Sequence, residues 1–546
     1  MSYPRLKLLC LFLILGIAFA CPAFATQYYV SPSGSDSNSG TSSSSPWQTI
    51  AKVNSFVFPQ GSAVSFQGGQ MFPGCLTFNT TNVPSSSAST PFTVNSYGTG
   101  VATVSSNCTG TYSAAITADN VSGFTVNGLR FVNGSTTTFG VFLQNSTSSS
   151  PTQTIVVENS EVTGFTGGEI HIIGDNTKGT NGPLNNVQIL NNSLHGASIT
   201  SGDGPGIGGY GYGQNITNVL VQGNTIYNLG MPASETGAGI TLDGWNGATV
   251  QYNVVHDIGA NVTSCGGTSG IESYTSSNLT IQFNEVYNIQ AYPSFTNGCD
   301  WDGIDLDGAA TNSIVQYNYI HETGGAALLA YVPGPRGTSW GGNTYRYNIA
   351  ENSGLIGGDT AAFSLVKSVP QTPVYVYGNT FFNNVAHTNS NGRAPECFYI
   401  EGGTYPSGSL IQDNICDLND QNGLGQVFLT YTWGSSAPSL SLSNNLYFTT
   451  HTPVWDWGKK SYSSISAWRT AAEPTAVYGD PLFSSAGNGG TCSWVPSSLA
   501  GPQPCPQAYT LQPGSPALGA GVTVTNNGGR NYYGTALPNP PDIGAQ

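Results

Sequence analysis

Between Gly303 and Gly308 apolar and polar residues alternate, with Ile304 and Leu306 on one face of an extended strand and Asp305 and Asp307 on the other. A second apolar run, Ser313 to Ile320, reads as another strand with Asn318 set inside it, and Gly, Asn and Thr turns punctuate the two. The layout recurs. VVENSEV, ILNNSLHG, VQGNTIYN, VQYNVVHD, IQFNEVYN, VQYNYIHE, YRYNIAEN, VYGNTFFN, IQDNICDL and LSNNLYF share one anchor asparagine each: Asn159, Asn192, Asn224, Asn253, Asn284, Asn318, Asn348, Asn379, Asn414 and Asn445. Successive anchors lie 29–35 residues apart, and nothing between them has the period of an amphipathic helix. Short β-branched strands at this period predict a solenoid of parallel strands with about ten or more coils.

Such a coil cannot bury its own apolar face. Stacking coils about 4.8 Å apart buries a continuous core and pairs each backbone with the coils above and below. Asparagine at one recurrent bend tolerates the left-handed conformation and can bond its counterpart in the next coil. Three residues after the anchor stand His195, Tyr227, His256, Tyr287 and His321, read here as a structural column at the strand end.

The strands that precede five successive anchors read GIGGY, GITLD, GIESY, GIDLD and ALLAY. Their inward positions are Ile207, Ile240, Ile271, Ile304 and Leu328. The outward positions form two columns: Gly208, Thr241, Glu272, Asp305 and Leu329, then Tyr210, Asp243, Tyr274, Asp307 and Tyr331. Coil spacing puts Glu272 beside Asp305, Asp243 about 10 Å from Asp307, and Asp305 about 7 Å from Asp307 along one strand. Carboxylates at such separations suit glycoside hydrolysis, and packed acids raise one another's pKa to supply a general acid. The tyrosines, with Trp301 at the head of the strand, offer flat faces to sugar rings. Asp243-Gly244 and Asp307-Gly308 are also ordinary turn pairs, and the acids are equally a candidate Ca²⁺ site.

The flanks are less regular. PWQTIAKVNSF (46–56) predicts a short helix over the open end of the first coil, and 57–118 reads as irregular first coils. The regular repeat occupies 119–450. After it, SISAWRTA (464–471) predicts a second helix, and 451–546 reads as strands and loops folded back as a cap. Residues 1–25 predict a secretory signal: Arg5 and Lys7, an apolar run from Leu8 to Ala20, then Ala23-Phe24-Ala25. No later run is long and apolar enough to span a membrane.

Composition narrows the partners. Only 8% of the residues are charged, against about a quarter in ordinary domains. The net charge of −15 turns away nucleic acid, and the neutral-polar surface suits a hydroxyl-rich polysaccharide. Arg336, Arg346, Lys367 and Arg393 follow the acidic coils and are candidates to neutralise an acidic sugar, with Arg336 counted among the binding residues. Eight cysteines lie beyond residue 25, an even count that suits disulfides in an exported, extracellular or periplasmic protein. Neighbour pairing gives Cys75–Cys108, Cys265–Cys299, Cys397–Cys416 and Cys492–Cys505. A monomer is expected.

The opening YYVSPSGSDSNSG with PWQTIAKV, the repeated coils, and the closing DPLF, LQPGSPALGAG and DIGA resemble secreted proteins of the pectin-lyase-like superfamily. The resemblance implies an all-β, right-handed parallel β-helix with terminal caps. It leaves the reaction open among polysaccharide lyases, glycoside hydrolases and non-catalytic surface proteins. The Asp-Asp, Gly-His-Gly and Arg-Ile-Lys strings of polygalacturonases are absent, and GGEIHIIG (167–174) resembles an alginate and chondroitin lyase motif without its arginine. The leading expectation is a glycoside hydrolase with Asp305 and Glu272 as its pair and Asp307 and Asp243 as alternates. The alternatives are a lyase, for which Ca²⁺ would supply the positive charge, and a glycan-binding protein. Hydrolysis requires no cofactor.

Overall fold

The structure is a computed structural model. It describes residues 26–546 apart from 135, 147–149, 175–181, 197–203, 212, 231–237, 260–267, 291–299, 333–338, 356–360, 369, 386–395, 402, 420–425, 432–438 and 493–504. The expected signal (1–25), Arg336, Arg393 and the pair Cys265–Cys299 lie outside the described residues.

The chain winds as the parallel β-helix that the repeat and the superfamily resemblance imply. Each coil adds one strand to each of three sheets, and within every sheet the strands follow in chain order. In the coil around Asn318, Ile314–Gln316 joins sheet 1, Tyr319–Thr323 joins sheet 2 and Leu328–Tyr331 joins sheet 3. The expected single strand from Ser313 to Ile320 is therefore two, with a corner at Tyr317-Asn318. Among the described residues all the strand ladders are parallel except one hairpin, Pro453–Trp457 against Lys460–Tyr462.

The corner explains the sequence period. Asn192, Asn224, Asn253, Asn284, Asn318, Asn348, Asn379, Asn414 and Asn445 form one buried column. Each side-chain amide donates to the next asparagine's Oδ1 at 2.9–3.0 Å. Asn445 closes the row on Glu473 Oε1 at 2.9 Å. The left-handed residue is not the asparagine but the one before it, including Tyr252, Phe283, Tyr317 and Tyr347 at φ 52–57°. For the same reason Asn159 is not in the column. It is left-handed at φ 52°, and Ser160 takes the column position, its N–H bonded to Asn192 Oδ1 at 3.0 Å. The rings of Tyr252, Phe283, Tyr317 and Tyr347 stack outside the corner at 5.0–5.8 Å. His195, Tyr227, His256, Tyr287 and His321 form a second stack at 4.7–5.2 Å, a structural column as expected.

Helix Ile50–Ser55, capped by Thr49, packs Ile50 and Val53 on the amino-terminal end, where Trp47 stacks on Tyr28 at 4.9 Å. Helix Ile465–Ala471 sets Trp468 against Trp455 of the last coils. The chain beyond Tyr478 then runs back along the flank of the solenoid. Gly544 N–H bonds Asp413 O (2.7 Å), Gly489 N–H bonds Glu351 Oε2 (3.2 Å) and Cys492 N–H bonds Glu285 Oε1 (2.5 Å). Cys75–Cys108, Cys397–Cys416 and Cys492–Cys505 are bonded as neighbour pairing expects. No helix among the described residues is long and apolar enough to cross a membrane.

Candidate active site

Sheet 3 carries the acidic stripe. Glu272 pairs in register with Asp305, Tyr274 with Asp307, and Asp243 with both Tyr210 and Tyr274. Ile271, Ile304 and Leu306 point into the core and are fully buried, so alternation sends the acids outward, as read from the sequence. The outward face is not open to water over the acids, however. Asp305 is 5% exposed, Glu272 8% and Asp243 6%, whereas Tyr274 and Tyr210 stand out at 41% and 38%. Asp305 is flanked along the axis by Glu272 in one coil and Leu329 in the next, and that crowding excludes solvent.

Glu272, Asp305 and Asp307 each offer an oxygen within 4.8 Å of the others. The side chains lean together, closing the roughly 7 Å that strand geometry alone sets between Asp305 and Asp307. Asp305 Oδ1 is buried without a hydrogen-bond partner among the described residues. Burial raises the Asp305 carboxyl well above its usual range, and Asp307, Asp302, Glu272 and Asp300 add to the effect. Asp307 is pushed up to about 7 by burial, although the Gly308 N–H that it accepts pulls the other way. Asp307 thus also serves the turn that its Asp-Gly pair predicts. Asp243 stays outside the cluster, its Oδ1 accepting Thr275 Oγ1–H at 3.0 Å.

Two acids escaped the sequence reading. Asp302 is fully buried, and its Oδ1 accepts Ala326 N–H at 2.5 Å. Asp300, in a left-handed backbone shared with Trp301 at φ 37° and 64°, adds its charge to those that raise Asp305 and Asp307. Four aspartates between 300 and 307 in a chain of 28 acids were the available signal. Trp301, expected among the substrate-binding rings, is 2% exposed and packs with the core side chains. Tyr331 is half-buried against Ala326, Leu329 and Val366, with Lys367 Nζ 6.0 Å from its ring. Farther along the Glu272 column lies His171, held down at about 4 by burial and stacked on Phe139 at 4.3 Å.

No protein-family profile matches the chain. A lacto-N-biosidase of Bifidobacterium longum subsp. longum is 24% identical over 349 residues, which is 60% of this chain and 19% of that protein. Among solved structures, the chain is similar to a GH136 lacto-N-biosidase from Eubacterium ramulus, with a TM-score of 0.49 and 16% identity over 70% of this chain and 67% of that one. It is also similar to pectate lyase Pel9A, with a TM-score of 0.33 and 14% identity over 95% of this chain and 96% of that one. This chain thus spans about a fifth of the curated relative's length.

Proposed function

We propose that the chain is an exported carbohydrate-active enzyme, a glycoside hydrolase that cleaves a polysaccharide at the Glu272–Asp305–Asp307 cluster and works as a monomer. The observation that carries the reading is the meeting of three carboxylates within 4.8 Å, with the Asp305 carboxyl raised well above its usual range by burial and by its acidic neighbours. A protonated Asp305 is a general acid for the glycosidic oxygen, and Glu272 beside it is the nucleophile or base. Asp307 is the alternate partner, and Asp243, outside the cluster, the remaining one. An approach this close is nearer the roughly 5 Å of retaining enzymes than the 6.5–9.5 Å of inverting ones. Tyr274 and Tyr210 are the exposed rings that receive sugar, and Tyr331 lies beside them; Arg336 keeps its place as a candidate for an acidic substituent. The lacto-N-biosidase relative supports sugar cleavage, and the three disulfides fit an oxidising compartment.

The same oxygens favour a second reading. An all-carboxylate set with an unbonded buried Asp305 Oδ1 fits a hard cation such as Ca²⁺. A cation there would hold the acids ionised, supply the positive charge that a lyase requires, and leave proton abstraction next to a uronate to a separate base. A polysaccharide panel separates the readings. New reducing ends without absorbance of an unsaturated product, undiminished by chelator, support hydrolysis. An unsaturated product lost on chelation supports elimination. Saturable glycan binding with neither product would leave a binding protein.

A further inference from the structure

Among the described residues only three aromatic rings are exposed: Tyr112 at 61%, Tyr274 at 41% and Tyr210 at 38%. Single exposed apolar residues are ordinary on any surface. These three share one side of the molecule. Tyr274 and Tyr210 point outward from sheet 3, and Tyr112 lies over the amino-terminal strands of the same sheet.

The two outward columns that carry the acids continue in register toward the amino terminus. Asp305 and Glu272 lead to Thr241, Gly208, His171 and Phe142, and Asp307 and Tyr274 lead to Asp243, Tyr210, Ile173 and Gln144. Phe142 is five register steps from Asp305, roughly 24 Å at the spacing of stacked strands. Rings in contact bridge the far part of that span. Tyr112 packs on Phe142 at 5.7 Å and on Phe139 at 6.5 Å, Phe142 stacks on His171 at 5.8 Å, and His171 meets Tyr210 edge-on at 5.6 Å.

The footing is firm. Phe139 and Phe142 form a small buried cluster with Ala114 and Ile173, outside the main core. The turn that carries Tyr112 is closed by Ser113 N–H on Gly110 O (3.1 Å) and tied to the next coil by Thr138 Oγ1–H on Gly110 O (3.0 Å) and Phe139 N–H on Ser113 O (2.9 Å). Beyond Asp243 the stretch from Tyr210 to Phe142 carries no acid, Lys or Arg in either column, and burial holds the His171 imidazole down at about 4, so it is neutral. On the other side of the acids the face closes: Ala326, Leu329 and Val366 are buried together, with Tyr331 and Tyr399 half-buried against them.

Rigid rings with a flat apolar face and a polar tip suit sugar rings. We propose that a glycan chain of uncharged sugars lies along the solenoid axis, from the acid cluster over Tyr274 and Tyr210 to Tyr112, so that the protein selects long neutral chains over short fragments. This rests on the reading of the acid cluster as a carbohydrate site.

Calorimetric titration of the Asp305→Asn protein with soluble xylan, arabinan, galactan and polygalacturonate tests it, because binding is read apart from cleavage. At least one neutral polymer is expected to saturate, and polygalacturonate to bind more weakly. Tyr112→Ala should lower affinity for that polymer about tenfold with an unchanged melting temperature, since its ring is mostly exposed. The loss should vanish for the disaccharide of the same polymer, and Tyr375→Ala, on sheet 1, should cause none. The proposal is overturned if no neutral polymer binds, if polygalacturonate binds best, or if Tyr112→Ala binds the polymer as well as its parent. Tyr112-dependent binding by a wild-type protein that cleaves nothing would sink the hydrolase reading and leave this one standing. Cleavage with full polymer affinity in Tyr112→Ala would do the reverse.

Discussion

Two buried polar rows run along this solenoid at the same spacing, and they could hardly be less alike. In the corner row every asparagine donates to one neighbour and accepts from the other, and the last donor meets Glu473. In the sheet-3 row Glu272, Asp305 and Asp307 crowd together, and Asp305 Oδ1 has no partner among the described residues. The difference lies in the functional group. An amide carries both a donor and an acceptor, so a column of amides satisfies itself. An ionised carboxylate only accepts, so a column of acids needs a proton, a cation or a substrate from outside. The first row satisfies itself, and the second does not.

The largest effect should come from breaking the satisfied row. Asn318→Ala removes the acceptor for Asn284 N–H and Nδ2–H and the donor to Asn348 Oδ1, all inside the core. Orphaning these groups should cost about 4 kcal/mol, seen as a fall in urea midpoint and melting temperature. An unchanged midpoint would mean that the ladder is ornamental. Asp305→Asn makes the opposite substitution, putting an amide into the acid row. On the proposed reading it removes the general acid and should lower turnover by about 100-fold, without lowering the melting temperature. Full turnover would remove Asp305 from the chemistry. A melting temperature that falls, and that chelator lowers in the wild type, would turn the row into a cation site.

The two rows were also unequally legible. The asparagine period showed the solenoid because the corner recurs in nearly every coil, and a one-residue slip would flip every side chain between core and surface. The slip at Asn159 arose because the column position in that coil is Ser160, so the one asparagine in the string VVENSEV is the left-handed residue before it. The acids were found by the same alternation, but their burial was not, since crowding by Leu329 and the lean of Asp307 depend on packing across coils. Asp300 and Trp301 went astray for a local reason. Their left-handed backbone breaks the alternation just where the strand begins, so the pattern read from Gly303 onward reached neither residue.

Tyr274→Ala tests the exposed edge of the acid row. The ring lies in the coil before Asp307, and on the proposed reading it meets sugar outside the bond being broken, so KM should rise about tenfold with kcat little changed. An equal fall in kcat would place the ring in the transition state instead.

The smallest effect is a slope, and it separates a proton from a cation as the missing partner of the acid row. Asp307 titrates at about 7 in the folded chain and Asp305 is raised as well, whereas an unfolded aspartate titrates near 4. Between those values the native state holds more protons than the unfolded state. The stability this provides is full below about pH 4 and is lost as pH rises through about 7. Asp417, at about 8, and Glu473, at about 7, act in the same direction, so the wild-type melting temperature should fall from pH 5 to pH 8. In Asp305→Asn the raised Asp305 carboxyl itself is gone, and the fall should shrink by on the order of 1 kcal/mol in unfolding free energy. If the row instead holds a cation, its acids are ionised when it is filled. Ca²⁺ should then raise the wild-type melting temperature at pH 8 far more than at pH 5, and Asp305→Asn should abolish that gain. A pH slope identical in both proteins, with or without Ca²⁺, would mean that the acid row is not where the titration lies.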